Sequence, residues 1–359
     1  MNHITPQHWS APGSLLIAGE YLITEEGGCG VALAAGGRSY LESELSKRGV
    51  PGDSDLKMEG YWPNGGEKWS PQDGDSPTLA AAVWKQCRNS GHGTKGEGNA
   101  VSGRMVVDTS EFYDKRGRKL GFGSSAAAAL LYSRGLLYSA PAKSLQPADC
   151  ALRAHSSWQG GRGSGYDVLT SAYGGAGRFT GGVQPKWDTL SWPDDSESPR
   201  ILESWLIKGA EAVKSPDAVS RFQRWQNSKK NSYHLISEIS EITENLSNLL
   251  LGGMDSTPGK ILESIHRLAI SGIQLGEEIG VPAKPLIPGV PDIPLYRRGS
   301  LALKCLGAGN ESILLLFIPG GLSSDEIKSL KGLQERGLAV PLKVEHEGLR
   351  SELHPGEHK

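Results

Sequence analysis

Apolar and polar positions alternate along the chain in a way that predicts short strands interleaved with amphipathic helices. Apolar runs bounded by turn residues predict strands, which cover residues 15–18, 21–23, 31–33, 102–107, 201–207, 313–318 and 340–344. Apolar residues three and four positions apart, or runs of strong helix formers, predict helices, which cover residues 78–87, 124–138, 147–158, 235–249, 261–275 and 325–336, with another beginning near residue 167. Five prolines within residues 282–294 predict a loop.

The length of the chain predicts about two domains. At roughly 150 residues per domain, the 359 residues exceed one core and fall short of three. The acidic, proline-bearing segment 193–199 suits a domain junction. We therefore expect one domain over residues 1–198 and a second over residues 199–359.

Composition and charge exclude several classes of protein. Lys and Arg number 38 against 40 Asp and Glu, and the resulting net charge of −2 argues against a general nucleic-acid binder and a polybasic membrane anchor. The longest apolar run, 313–318, is too short to span a bilayer. Residues 1–10 lack the charged start and apolar stretch of a signal peptide.

The four cysteines are far apart in the sequence and form no Cys-x-x-Cys pair. This spacing argues against a disulfide framework and against a zinc site. We therefore expect a cytoplasmic protein whose cysteines are reduced thiols, at Cys29, Cys87, Cys150 and Cys305.

A glycine-rich segment at residues 121–129 combines a turn with a helix start. It reads Gly-Phe-Gly-Ser-Ser followed by four alanines, and the first turn of such a helix has backbone N–H groups whose partial positive charge favours an anion. Ser124 and Ser125 add hydroxyls for phosphate oxygens or Mg²⁺. No Gly-Lys-Ser or Gly-Lys-Thr follows, so this is not a Walker loop. From these residues alone, a serine-capped core helix is an equal alternative.

Three other segments carry weaker signals. Residues 159–167, Gln-Gly-Gly-Arg-Gly-Ser-Gly-Tyr-Asp, place the carboxylate of Asp167 at a helix start, where it could orient an acceptor or simply favour the first turn. Residues 11–20 read Ala-Pro-Gly-Ser through Gly-Glu and are, by themselves, an edge strand. Residues 306–310, Leu-Gly-Ala-Gly-Asn, could border phosphates or form a tight connection.

Some features favour structure over chemistry. Residues 91–96 fit Gly-x-Gly-x-x-Gly, but a helix precedes them and a strand follows, the reverse of the dinucleotide fingerprint, so we assign them to a surface loop. The nine histidines show no metal-ligand spacing, and His155, three residues before Trp158, is expected to pack or cap. The tail 345–359 is expected to be solvated.

Taken in order, these segments resemble the GHMP kinases, the family of galactokinase, homoserine kinase, mevalonate kinase and phosphomevalonate kinase. The shared motifs are Ala-Pro-Gly-x-Leu through Gly-Glu-Tyr, then Gly-x-Gly-Ser-Ser-Ala-Ala, then a late Gly-Ala-Gly. The block at residues 154–168, from Ala-His to Gly-Ser-Gly-Tyr-Asp-Val, is most similar to the phosphomevalonate kinase branch. The acidic Phe-Tyr segment 108–113 and the segment 209–219 also resemble that branch.

This resemblance implies a two-domain α+β fold, with an N-terminal domain like ribosomal protein S5 domain 2 and a ferredoxin-like C-terminal domain. It implies ATP and Mg²⁺ as cofactors, bound between the domains, and 5-phosphomevalonate as acceptor. The phosphate-binding residues would be Gly121, Gly123, Ser124, Ser125, Ala126, Gly307, Ala308 and Gly309, with Ser125 closest to Mg²⁺. Asp167 would face the acceptor. The other substrate-binding candidates are Ser14, Glu20, Ser164, Gly165, Lys119 and Arg162, and Arg178 and Lys214 are further cations that could hold an anionic substrate.

Two departures from the family pattern leave the function open. Ser14 stands where the family has a lysine, and losing one such electrostatic contact typically costs about 10²–10³ in rate. The late loop continues as Asn310-Glu311-Ser312, whose side chains would crowd a nucleotide. The alternatives to phosphomevalonate kinase activity are therefore a GHMP kinase with a sugar or other alcohol as acceptor, and a non-catalytic nucleotide-binding relative.

Overall fold

The computed structural model describes residues 6–48, 55–89, 100–137, 146–161, 163–193, 201–212, 215–228, 232–252, 256–287, 293–307 and 309–352. The strands are β1 Gln7–Ala18, β2 Cys29–Arg48, β3 Leu56–Trp62, β4 Gly65–Trp69, β5 Ala100–Asp108, β6 Ala176–Thr180, β7 Lys186–Leu190, β8 Glu203–Ala212, β9 Tyr296–Arg297, β10 Leu301–Leu306, β11 Gly309–Phe317, β12 Ala339–Pro341 and β13 Arg350–Ser351. The helices are α1 Leu79–Asn89, α2 Ser124–Leu136, α3 Gln146–Trp158, α4 Tyr166–Tyr173, α5 Ser215–Ser228, α6 Ser232–Leu250, α7 Pro258–Ile279 and α8 Ser324–Glu335.

The chain forms two compact units, each assembled from separate stretches of sequence. The first comprises residues 1–14, 34–174 and 345–359, and the second comprises residues 15–33 and 175–344. The predicted boundary near residue 198 stays a prediction, and residues 194–199 of the expected junction 193–199 lie outside the described residues.

The first unit consists of a sheet and a group of helices packed around α2. Its strand order is β13-β1-β2-β5-β3-β4, in which β3 and β5 are parallel. Helix α2 packs against α1, α3 and α4. The four alanines at 126–129 are buried, so small side chains face the neighbouring helices and allow their backbones to approach closely.

The second unit contains a five-stranded antiparallel sheet in the order β12-β8-β11-β10-β9. Apolar side chains of this sheet form a core with Leu330 and Leu333 of α8, and α7 also packs on β10. In the same unit, the start of β2 pairs with β6, which pairs with β7. The apolar spacing that predicted α6 is confirmed, because Leu235, Ile239 and Ile242 are buried on one face.

Most predicted elements are present, but the predicted strand at 21–23 is wrong. Those residues lie in a turn and a short 3-10 helix, Leu22–Thr24. Gly19 and Tyr21 both have positive φ, 88° and 66°, which breaks the extended chain after β1. The N–H of Thr24 then donates to the carbonyl of Tyr21 at 3.0 Å. Apolar content alone did not reveal this local turn.

The expectation of four reduced cysteines is also wrong. Cys87 of α1 and Cys150 of α3 form a disulfide with a Cα–Cα distance of 5.7 Å, whereas Cys29 and Cys305 are buried and form no disulfide with a described residue. The two bonded residues are 63 positions apart, so only the packing of α1 on α3 brings them together. Cytoplasmic localisation remains a prediction, and disulfides are uncommon in that compartment.

The C-terminal tail is not simply solvated. Residues 350–351 form β13, which pairs with Trp9 and Ser10 of β1. The N–H of Glu345 donates to the carbonyl of Ala34 at 2.8 Å.

Among the described residues, no helix has the length and apolar character needed to cross a membrane. The Gly-x-Gly-x-x-Gly segment 91–96, which we assigned to a surface loop, lies outside the described residues.

Candidate active site

A glycine turn leads directly into the N-terminus of α2. Gly121 has φ 79°, and Gly123, the residue that precedes the helix, lies in the left-handed region at φ 66° and ψ 35°. The N–H groups of Ala126 and Ala127 both donate to the carbonyl of Gly123, at 3.0 and 3.2 Å. The preceding N–H groups of the first turn point out of the helix, which is the arrangement that favours an anion.

Strand β1 is hydrogen-bonded to this turn. The N–H of Ser14 donates to the carbonyl of Phe122 at 3.0 Å. A Cβ on Gly13 would lie 2.8 Å from the same carbonyl oxygen and from the Phe112 ring, so only glycine lets β1 approach this closely. The Pro-Gly of the Ala-Pro-Gly motif thus has a packing reason that the sequence alone did not give.

Ser14 is fully buried, and its hydroxyl has no hydrogen-bond partner among the described residues. A Cβ on Gly123 would lie 2.4 Å from the Ser14 Oγ and 3.6 Å from the Cβ of Asp167. Position 14 therefore lies directly beneath the glycine turn and beside Asp167. A buried hydroxyl without a partner is costly, so a ligand oxygen at this point would gain a hydrogen bond from it.

Asp167 lies in the first turn of α4, which begins after Gly165 at φ 83°. Its Oδ1 accepts a hydrogen bond from the N–H of Val168 at 2.9 Å. A Cβ on Gly165 would lie 2.4 Å from Leu152 of α3, so this glycine allows α4 to begin against α3. Ser164 lies in the loop immediately before it.

His155 of α3 contacts both Ser125, the predicted phosphate and Mg²⁺ ligand, and Asp167, the predicted catalytic residue, which we did not expect. It is 1% exposed, its Nε2 lies 3.0 Å from the Ser125 Oγ, and its Nδ1 lies 3.8 Å from the Asp167 Oδ2. The Gln159 Nε2 lies 3.3 Å from the same Nε2 atom. The prediction that His155 packs holds for its stacking on Trp158, but the polar contacts were missed. The only signal in the sequence was its place in the 154–168 block.

Tyr113 is a second residue that the sequence singled out only as part of a segment. Its hydroxyl is hydrogen-bonded to the Ser124 side chain, and burial raises its pKa although that bond acts in the opposite direction. Ser124 is buried. The two serines of the motif therefore have different partners, Tyr113 for Ser124 and His155 for Ser125.

The predicted cations are not all gathered at this site. Lys119 is exposed and forms an isolated bridge with Tyr113, close in the chain to Gly121. Arg178 lies on β6, in the second unit. Arg162 and Lys214 lie outside the described residues.

Glu20 belongs to the second unit, where it forms an ion pair with the Nζ of Lys304. Lys304 is 3% exposed, and its Nζ also donates to the carbonyl of Cys305 at 2.9 Å. The pair borders an open pocket that Tyr21, Leu268 and Gly307 also line. Burial raises the pKa of the Cys305 thiol to about 12.

The late glycine loop joins β10 to β11 in the second unit. Gly307 has φ 67°, Gly309 has φ 123°, and Ala308 lies outside the described residues. Leu306 pairs with Ser312, and a register shift in the pairing of β11 with β8 occurs between Asn310 and Ser312. This loop is therefore a short hairpin connection. A role beside phosphates remains a proposal.

The residues of the first unit fit a Mg²⁺ ion that arrives with a triphosphate. Mg²⁺ is usually held by one or two protein oxygens, with phosphates and waters completing its octahedron. Ser125 supplies a hydroxyl and Asp167 a carboxylate, and both contact His155. Among the described residues, no cluster of three or more His, Cys, Asp or Glu side chains forms a metal site by itself.

Comparison with known proteins identifies the fold. No family model matches the chain, and no curated protein matches it. The Lin0012 protein from Listeria innocua is 19% identical, with a TM-score of 0.72 over 98% of this chain and 100% of that one. Streptococcus pneumoniae phosphomevalonate kinase, in complex with phosphomevalonate and AMPPNP, is 14% identical, with a TM-score of 0.62 over 94% and 99%. Methanococcus jannaschii mevalonate kinase is 13% identical, with a TM-score of 0.62 over 96% and 99%.

These identities are too low to carry an activity across, but the likeness covers nearly the whole of each chain. It confirms the predicted fold class. The chain has the two-domain α+β fold of the GHMP kinases.

Proposed function

We propose that this protein is an ATP-dependent small-molecule kinase that transfers the γ-phosphoryl group of ATP to 5-phosphomevalonate. The observation that carries this proposal is the glycine turn at the N-terminus of α2, with the partnerless Ser14 hydroxyl beneath it and Asp167 beside it. Backbone N–H groups there would bind phosphate oxygens, and the carboxylate would face the acceptor. The 154–168 block supports this acceptor over others.

The reaction needs little acid–base chemistry. An oxygen of the acceptor phosphate bonds to the γ-phosphorus, the bond from that phosphorus to the β–γ bridging oxygen breaks, and ADP leaves with the electron pair. The acceptor phosphate is already ionised near neutral pH, so no proton must be removed. Asp167 would therefore orient the reacting groups. Mg²⁺, when bound through Ser125 and the phosphates, would neutralise part of their charge.

The absence of a lysine at position 14 requires the positive potential to come from elsewhere. The N-terminus of α2 supplies a partial charge of about +0.5. Lys119 is exposed and lies two residues before Gly121. Among the predicted cations that the structure describes, it is the one that we propose to contact the anionic substrate. Ser164 and Gly165 are proposed to line the acceptor.

A coupled assay of ADP release tests the proposal directly. With Mg²⁺, ATP and 5-phosphomevalonate, we expect one ADP and one 5-diphosphomevalonate per turnover. Release of ADP with mevalonate, galactose or another alcohol, and none with phosphomevalonate, would assign a different acceptor. Thermal stabilisation by ATP and Mg²⁺ without ADP release on any acceptor would support a non-catalytic binding protein.

Asp167→Asn should lower kcat by about 10²-fold or more, since it removes the charge that orients the reacting groups. Asp149→Asn is the matched control, because Asp149 is also an acidic residue in the first turn of a helix but is exposed. The control should retain wild-type kcat. Equal losses in both variants would reduce Asp167 to a helix-stabilising residue.

A further inference from the structure

His155 occupies a position that a packing residue does not need. Its ring is buried against Trp158, with centroids 5.9 Å apart, yet both nitrogens face polar groups of the candidate site. Nε2 faces the hydroxyl of Ser125, at the start of α2, and Nδ1 faces the carboxylate of Asp167, at the start of α4. One side chain on α3 thus contacts the first turns of two other helices.

The tautomer of this histidine follows from its partners. The Gln159 Nε2 is an amide nitrogen, which only donates, and it lies 3.3 Å from the His155 Nε2. The Asp167 carboxylate faces Nδ1 and can only accept, so it favours the neutral ring with its proton on Nδ1 and with Nε2 as the acceptor.

This tautomer determines the direction of the Ser125 hydroxyl. Because Nε2 is an acceptor, the Ser125 hydroxyl, the nearer of its two polar neighbours at 3.0 Å, donates a hydrogen bond to it, and the lone pairs of the Ser125 oxygen can face a cation or another donor. The Nδ1–H is directed towards the Asp167 carboxylate, 3.8 Å away, a separation that is longer than a hydrogen bond and that substrate binding can shorten.

We infer that His155 is a positioning residue that orients both the Ser125 hydroxyl and the Asp167 carboxylate, with Asp167 and Gln159 favouring the Nδ1–H tautomer. The inference deepens the proposed kinase function and rests on it for the roles of Ser125 and Asp167. A residue that holds ligand-contacting groups in place typically contributes 10- to 100-fold to affinity or activity. His155→Ala should therefore lower kcat/KM by about 10- to 100-fold.

The tautomer can be measured without any turnover. Two-bond ¹H–¹⁵N spectra of the ¹⁵N-histidine-labelled protein, at a pH where the ring is neutral, distinguish Nδ1–H from Nε2–H. The signals that disappear in His155→Asn identify this residue. We expect the Nδ1–H form, and a shift towards Nε2–H in Gln159→Leu. An Nε2–H form in the wild type would overturn the inference, whether or not the protein is a kinase.

Two conservative variants separate the two contacts. In His155→Asn the amide nitrogen takes the place of Nδ1 and should recover kcat through Asp167. In His155→Gln the longer amide takes the place of Nε2 and should instead recover the affinity for ATP through Ser125. His266→Asn is the control, because His266 likewise stacks on an aromatic ring, that of Tyr296, in the second unit.

The outcomes distinguish the possible failures. If Ala, Asn and Gln at position 155 lose kcat/KM equally, His155 only packs and the inference is wrong. Non-additive losses in Ser125→Ala combined with His155→Ala would support it, since residues that act through one another do not add. If ATP binds but no acceptor is phosphorylated, the proposed function fails. The role of His155 is then still decided by its tautomer and by the ATP affinities of His155→Gln and His155→Ala.

Discussion

Gly123 illustrates how a single residue allows the turn at α2 to form. Its φ of 66° suits glycine, and an added Cβ would lie 2.4 Å from the Ser14 Oγ. Backbone conformation and steric contact therefore both require glycine there. Gly27 has a similar φ of 75° but no atom within 4 Å of an added Cβ. A substitution at Gly27 therefore measures the effect of backbone conformation without that of steric contact.

We expect Gly123→Ala to lower the free energy of unfolding more than Gly27→Ala. The change at Gly27 should cost about 1–2 kcal/mol for the left-handed conformation alone. The change at Gly123 should cost about 1–3 kcal/mol more, because of the overlap with Ser14. Urea titrations measure both, and the thermal shift by ATP should be lost only in Gly123→Ala. Equal destabilisation would contradict the proposed close contact.

At the scale of elements, the disulfide joins α1 to α3, the helix that carries His155. Closing a loop of 63 residues restricts the unfolded chain by about 4 kcal/mol in the chain-entropy model. We expect reduction, or the double variant Cys87→Ala/Cys150→Ala, to lower stability by up to that amount. The packing of α1 on α3 would remain in the reduced protein.

Thiol titration in denaturant measures the disulfide itself. Without reductant, two thiols should react, from Cys29 and Cys305, and four should react after reduction. Four reactive thiols in the unreduced protein would show that the bond is not formed. Cys29→Ala is the control for stability, since it removes a buried thiol and leaves the disulfide intact.

Three strands of the first unit meet at one carboxylate, Glu59 of β3. Hydrogen bonds from Arg104 of β5 and from Tyr61, and then from Lys68 of β4, hold the pKa of Glu59 at about 2. The pKa in the unfolded chain is the ordinary 4.5, so the stabilisation is complete above pH 4.5. It is lost progressively as the pH falls from about 4.5 towards 2.

Glu59→Gln should therefore flatten the fall in unfolding free energy between pH 4.5 and 2. Glu67→Gln on the adjacent strand β4 is the opposite control, because burial raises the pKa of Glu67 and its ionisation opposes folding. That variant should gain stability above pH 4.5. Chemical denaturation at several pH values measures both, and parallel curves for Glu59→Gln and the wild type would contradict the argument.

At the scale of the whole molecule, Arg38 connects the C-terminal segment to the rest of the first unit. This buried guanidinium donates to the Ser10 Oγ at 2.8 Å, to the Glu345 Oε2 at 3.2 Å and to the carbonyl of Gly348 at 2.6 Å. Burial lowers its pKa, against the opposing effect of Glu345. The N-terminal strand and the C-terminal segment therefore share one charged anchor.

Arg38→Ala should cost about 3 kcal/mol, because Glu345 and the carbonyl oxygens would lose their donor. Lysine should not rescue it, since an ammonium cannot reproduce the planar fork of donors. Arg350→Ala is the control, a partly exposed arginine paired with Glu347 and Glu352 that should cost under about 1 kcal/mol. Thermal and urea unfolding compare the three variants, and similar losses at positions 38 and 350 would refute the anchor.

Local sequence determined the elements whose signals are local. The alanine run specified α2 and its buried face, and the apolar spacing specified α6 and α7, because helix periodicity is written within a few turns. The glycines of residues 121–123 predicted the turn before α2 for the same reason. The run at 21–23 was misread, since a positive φ at a tyrosine has no signature in apolar content.

Only the tertiary structure decided which distant residues meet. The disulfide, the Arg38 anchor and the contacts of His155 with Ser125 and Asp167 join residues from 12 to 310 positions apart. No local pattern encodes such pairs, because they depend on how whole elements pack. The sequence by itself therefore determined the elements and the glycine turn before α2, and packing decided which side chains surround that turn.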